Sequence, residues 1–144
     1  MATLHLLKLC VGADGVEDLI EWQAQRAAEA RARGEDSRLA HVTRMRPKRA
    51  DELLAGGSIY WVFKGLVLAR QRVLELQTRR GTDGIERCVL RLDSEVVRTL
   101  PQPRRPFQGW RYLTAQDAPA DLIGRGVSEL PPQLAAGLAR VGVL

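Results

Sequence analysis

The run Arg44-Met-Arg46-Pro47-Lys48-Arg49 sets four cationic side chains around one proline. Proline suits the first position of a helix, where its missing N–H is not needed. A helix starting at Pro47 would turn unpaired amides and the positive end of its dipole toward Arg44, Arg46, Lys48 and Arg49. That combination suits a phosphate or a carboxylate. Arg46 offers no acceptor to cap the helix, so an external anion would meet the need. The plainer alternative is a solvated basic turn balanced by Asp51 and Glu52 and capped from within, by Thr43 or a backbone carbonyl.

Three further groups carry possible chemistry. Tyr60-Trp61-Val-Phe63-Lys64 places rings beside a cation, and six of the seven aromatic residues lie between positions 60 and 112. Bases stack on such rings while Lys and Arg hold the phosphate backbone. On a strand, alternate aromatics also fill a core, and Tyr60 and Trp61 point to opposite faces. Arg70 and Arg72 share a face with Leu66, Leu68, Leu74 and Leu76 if the segment is an unbroken strand. They then line a polar pocket or mark a bulge, and any buried charge needs a partner. Finally, Arg104 to Tyr112 interleaves Arg105 and Arg111 with Phe107 and Trp110. It reads either as an RNA-contacting loop or as a loop pinned to the core by Trp110.

Catalytic signals are sparse. His5 and His41 are the only histidines, and with Cys10 and Cys88 they have no metal-site spacing, so neither metal nor cofactor is expected. There is no phosphate-cradling glycine loop and no nucleophile elbow. His41, with Lys48 nearby, would serve a hydrolase as base; a structural histidine is the simpler expectation.

These groups sit in a chain of 144 residues with 45% apolar and 27% charged residues, which fits one domain over residues 1–144. Two cysteines are too few for a disulfide framework and suit buried thiols in a reducing, cytoplasmic compartment. No apolar stretch reaches membrane-spanning length, and the N-terminus lacks signal-peptide features. The net charge of +5 is uneven: residues 38–111 hold sixteen basic and seven acidic residues, net +9, between flanks of −3 and −1. One electropositive face and a polyanionic partner follow, although nineteen Arg against three Lys also fits a compositional bias.

The elements that position these residues begin with a strand over Leu4–Val11. Asp14 and Glu17 form a capping-box-like start for a helix over 16–33, ended by Gly34. His41–Arg46 reads as a strand, Pro47–Leu54 as a short helix stopped by Gly56-Gly57, and Ser58–Lys64 as a strand. Leu66–Arg80 has helix-forming residue types but lies between strand signals, and is assigned strand. A turn at Thr82-Asp83-Gly84 precedes a strand over Arg87–Leu92, with Cys88, Leu90 and Leu92 on one face. Pro101–Pro106 reads as an extended loop, and Pro131-Pro132 opens a last short helix. The order suits an α+β fold, a small mixed-sheet pseudo-barrel with flanking helices.

The segments His41-Val-Thr-Arg-Met-Arg-Pro-Lys-Arg49, Gly57-Ser-Ile-Tyr-Trp-Val-Phe-Lys-Gly65, Arg70-Gln-Arg72 and Phe107-Gln-Gly-Trp-Arg-Tyr112 resemble an uncharacterised bacterial family, domain of unknown function 1489, along essentially the whole chain. The order strand, Arg46-Pro47-Lys48, helix, Gly56-Gly57, strand is also similar to the opening of ASCH domains in the PUA-like superfamily. That likeness implies a pseudo-barrel that binds RNA or nucleotides; a few ASCH proteins are hydrolases. The ASCH lysine, glutamate and arginine pattern after the glycine is replaced here by Tyr60, Trp61 and Lys64, so the likeness implies the fold and not an ASCH activity. The expected function is RNA or nucleotide binding through Arg44, Arg46, Lys48, Arg49, Tyr60, Trp61, Lys64, Arg70, Arg72, Arg105, Trp110 and Arg111. A small hydrolase or nucleotide-processing enzyme and a protein-interaction domain are the alternatives.

Overall fold

A computed structural model of the chain describes residues 3–122. The helix expected after Pro131 lies outside these residues. The fold is α+β, with seven strands and two helices in the order β1 (Leu4–Leu9), α1 (Val16–Ala32), β2 (Leu39–Thr43), α2 (Ala50–Leu54), β3 (Ser58–Phe63), β4 (Leu66–Arg80), β5 (Glu86–Leu92), β6 (Val97–Pro103) and β7 (Trp110–Thr114). The sheet runs β2-β5-β4-β3-β1-β7, with β6 on β4. Among the described residues only β1 and β3 pair in parallel. The sheet is open, with β2 and β7 at its ends and no ladder between them among the described residues, so the expected barrel closure is not seen.

β4 organises the sheet. Its first half pairs with β3 and β6, and its second half with β5. Register shifts at Trp61/Val62, Val67/Ala69 and Val73/Glu75 bend it as it passes between partners. The β3–β4 connection is the two-residue turn Lys64-Gly65, with φ of 48° and 86°, the primed geometry that matches strand twist. Lys64 is thus a turn residue, and its ammonium pairs with Asp14 at 2.9 Å.

α1 covers one face of the sheet. Val16 and Leu19 pack with Leu6, Ile59, Trp61, Phe63, Ala69, Leu90 and Leu92. The opposite face carries a smaller cluster of Leu7, Tyr60, Val62, Val67 and Leu113, with Phe107 and Ala118 against it. The amino end of α1 departs from the expected capping box. Asp18, not Glu17, reaches back to the Asp14 amide at 2.9 Å, while Glu17 pairs with Arg98 on β6. Gly34, at φ 72°, ends the helix as expected.

Three other expectations change. α2 starts at Ala50 rather than Pro47, which is buried in the preceding turn. Pro101 and Pro103 lie within β6, which pairs with β4 and meets only the short bridge at Thr99–Asp121 on its other side, so a missing N–H beyond that bridge is tolerated. Trp110–Tyr112, read as loop, begins edge strand β7.

Candidate functional site

The residues singled out above fall into two groups on different sides of the sheet. The first is the β2–α2 loop, residues 44–49. β7 holds it by its backbone: Trp110 Nε1 donates to the Met45 carbonyl at 2.8 Å, and the Arg49 amide donates to the Tyr112 hydroxyl at 3.0 Å. Trp110 and Tyr112 pack edge to face, with centroids 4.9 Å apart, and make one rigid clamp. Arg49 folds back over the Tyr112 ring and pairs with Glu52. The Arg49 amide therefore has a protein partner, and the anion expected at that amide is not needed there.

Arg44, Arg46 and Lys48 remain. All three are exposed and have no carboxylate partner among the described residues. Arg46 leans toward the Cys88 thiol, which burial holds above its ordinary pKa and the guanidinium pulls partly back. Met45, between the two arginines, is 66% exposed. Other arginines are matched, Arg33 with Glu35, Arg38 with Asp36, Arg80 with Glu86, Arg87 with Asp83 and Arg98 with Glu17, while Arg26, Arg31, Arg72, Arg79, Arg104, Arg105 and Arg111 also have no carboxylate partner among the described residues.

The second group lies on the face away from α1, where strand register sets Arg111, Leu7, Tyr60 and Arg70 in one row. Arg70 makes a bidentate pair with Asp121, both contacts at 2.7 Å, and donates to Ser58 Oγ at 2.9 Å. His5 Nδ1 accepts the Ser58 amide at 3.0 Å and meets the Tyr60 ring edge-on. The Arg70 bond holds the Asp121 carboxyl below its usual range, and burial followed by the Arg70 charge lowers the His5 imidazole. The register shift at Val67/Ala69 breaks the expected row, leaving Leu68 with the α1-side cluster and Arg70 on the other face, where Asp121 is its partner and the cluster is internally satisfied. Arg72 is exposed, and Arg111 lies over the Phe107 ring at 5.2 Å.

Tyr60 and Trp61 are each 4% exposed, so their faces belong to the two clusters of the core and not to a stacking surface. Trp61 Nε1 donates to Gln71 Oε1 at 2.9 Å; Gln71 in turn exchanges bonds with Gln23 and donates to the Asp93 carbonyl. Arg105 is exposed on the β6–β7 loop. Arg44 and Lys48 therefore do not converge with Trp61 or Arg70.

A family model described as protein of unknown function (DUF1489) matches residues 6–144. The chain belongs to this family. No curated protein and no solved structure matches it. The match begins within β1, after Leu4 and His5, and takes in every later strand of the sheet. Among the described residues, no helix is long and apolar enough to cross a membrane.

Ser58, Gln71 and Asp121 were not singled out in the sequence, and His5 was weighed only as a metal ligand, because their roles depend on register and on partners as far as 53 positions away. His41, for which a structural role was the simpler expectation and a hydrolytic base the alternative, is packed edge-on against Trp61 at 5.2 Å, and Lys48 does not line the cavity it borders. Burial, then the Lys8 and Arg26 charges, lower its pKa to about 4. An unfolded chain would protonate this histidine near 6.5, so it binds more protons than the folded chain between about pH 6.5 and 4. Stability should therefore fall as pH drops through that window, by on the order of 2 kcal/mol from this group. His41→Phe should flatten the urea-midpoint profile there; an unchanged slope would show that His41 is solvated.

Proposed function

We propose that the chain binds RNA or nucleotide phosphates through the β2–α2 loop. The observation that carries this reading is the trio Arg44, Arg46 and Lys48: exposed, without carboxylate partners among the described residues, on a backbone tied at two points to β7. Cations on a held loop lose less freedom when they meet phosphates than cations on a loose one. Arg111 lies on the other face of β7, over Phe107, and is not part of this surface. In this reading the run from β2 through Pro47-Lys48, α2 and Gly56-Gly57 to β3 is the PUA-like part of the fold, and the sequence order supports it. The base-stacking part falls away, since Tyr60 and Trp61 are in the core.

Fluorescence anisotropy with a single-stranded RNA dodecamer tests this. Three phosphate contacts imply that log K falls with log salt with a slope of about 2. Salt-independent binding, or none at low salt, overturns it. The clamp matters as well: Tyr112→Phe removes the acceptor of the Arg49 amide and should lower stability by about 1 kcal/mol. The same variant should weaken RNA binding several-fold, whereas unchanged affinity would mean that the loop needs no anchor.

A further inference from the structure

A cavity of about 290 Å³ lies between α1 and the strands at the β2 end of the sheet, on the opposite side of the core from the Arg70–Asp121 cluster. Its lining includes His41, Trp61, Trp22, Arg26, Arg79 and Arg91. Three observations distinguish it from an ordinary surface groove.

The first is an unsatisfied polar atom. His41 Nε2 is fully enclosed and has no hydrogen-bond partner among the described residues. A buried polar atom left unpaired costs about 1–3 kcal/mol, so native structures pair nearly all of them. The atom is closed to solvent, so it marks an unmet polar need in the cavity wall and not a surface that a ligand touches.

The second is a fixed cation. Arg91 is only 7% exposed. Its Nε donates to Gln77 Oε1 at 2.8 Å and another of its nitrogens to the Arg38 carbonyl at 3.1 Å. Its nearest carboxylate, Asp36, stands 3.7 Å away and is already engaged bidentately by Arg38. Arg26 and Arg79 add two cations with no carboxylate partner among the described residues, against Glu29 and Asp36 as the acidic members of the lining. The balance is positive.

The third is shape. The volume sits at the lower limit for small-molecule sites, room for one ring and one charged group rather than for a polymer. Trp61 offers an aromatic wall, and Trp22, 36% exposed, stands on α1.

We propose that this cavity binds a small organic anion, a single planar ring bearing one phosphate or carboxylate, with the anionic group held by Arg26, Arg79 and Arg91. This site is separate from the β2–α2 loop and stands whether or not that loop binds RNA.

The full chain is titrated with phenyl phosphate, orotate and inorganic phosphate, followed by tryptophan fluorescence and calorimetry. A ring-bearing probe should bind saturably below about 1 mM, with inorganic phosphate much weaker. The phenyl phosphate and orotate arms separate phosphate from carboxylate. The exposed double variant Arg26→Ala/Arg79→Ala, which leaves the core untouched, should weaken the bound probe at least about tenfold, as expected for lost charge-assisted bonds. Arg44→Ala/Lys48→Ala should leave it unchanged. The proposal is overturned if neither ring-bearing probe saturates by millimolar concentrations, or if the Arg26/Arg79 variant binds as tightly as the parent.

Discussion

Reversing the three loop charges together, as Arg44→Glu/Arg46→Glu/Lys48→Glu, should abolish RNA binding, a loss of at least about a hundredfold at moderate salt. Each substitution removes a phosphate contact and sets a carboxylate against the same phosphate. All three side chains are exposed and none closes a salt bridge, so the unfolding midpoint should barely move. The comparison is the same change of net charge at Arg31, Arg33 and Arg80, which lie on α1, just after it and at the end of β4. That variant should bind within several-fold of the parent, because distant charges act through a screened field. Equal losses from both variants would mean that net charge alone attracts the RNA.

The largest expected effect on folding is at Gly57. A Cβ there would run into the carbonyl oxygens of Leu4 and Leu53, both backbone atoms that cannot swing aside. Gly57 also receives α2, its amide bonding to the Leu53 carbonyl at 2.7 Å, and gives its own carbonyl to the Val73 amide at 3.0 Å. It is the point where α2, β1, β3 and β4 meet. Gly57→Ala should therefore cost about 3 kcal/mol or more, as overpacking at a backbone crossing does. Gly56→Ala, next to it, meets no neighbouring atom but sits at φ 105°, and should cost less, about 1 kcal/mol of backbone strain. Urea denaturation of the two variants gives the comparison. If Gly57→Ala were the milder change, the close approach of α2 to β1 would be wrong.

Much of the fold was legible because local pattern and tertiary outcome agree. β3 is rich in β-branched and aromatic residues and is buried throughout, and β5 shows the expected buried row of Cys88, Leu90 and Leu92. β4 was harder: its Ala, Leu, Gln and Glu favour helix, and pairing with β3, β5 and β6 overrode that propensity. The Arg70–Arg72 pair was a usable sign, since two arginines in an apolar row call for a partner, and Asp121 is that partner. β7 was missed because its five residues follow a loop rich in proline and glycine, and its pairing with β1 is more than one hundred positions away. The start of α2 was misplaced as well. Pro47 satisfies the local rule for a first helical residue, but Arg49 has non-helical dihedrals, φ −92° and ψ 47°, and the first helical bond runs from the Leu53 amide to the Arg49 carbonyl. Charge was easier to read than contact. The basic segment 38–111 was plain, yet only register separates its cations into a clamped loop, an Arg70 ion pair and an Arg91 cavity wall.

The most direct measurement is amide chemical-shift mapping of the isotope-labelled full chain during titration with a single-stranded RNA dodecamer at low salt. Binding through the clamped loop predicts the largest shifts at residues 44–49, followed by 110–112, with loss of those shifts as salt is raised. Shifts confined to another part of the chain, or a titration that leaves residues 44–49 unmoved, would contradict it.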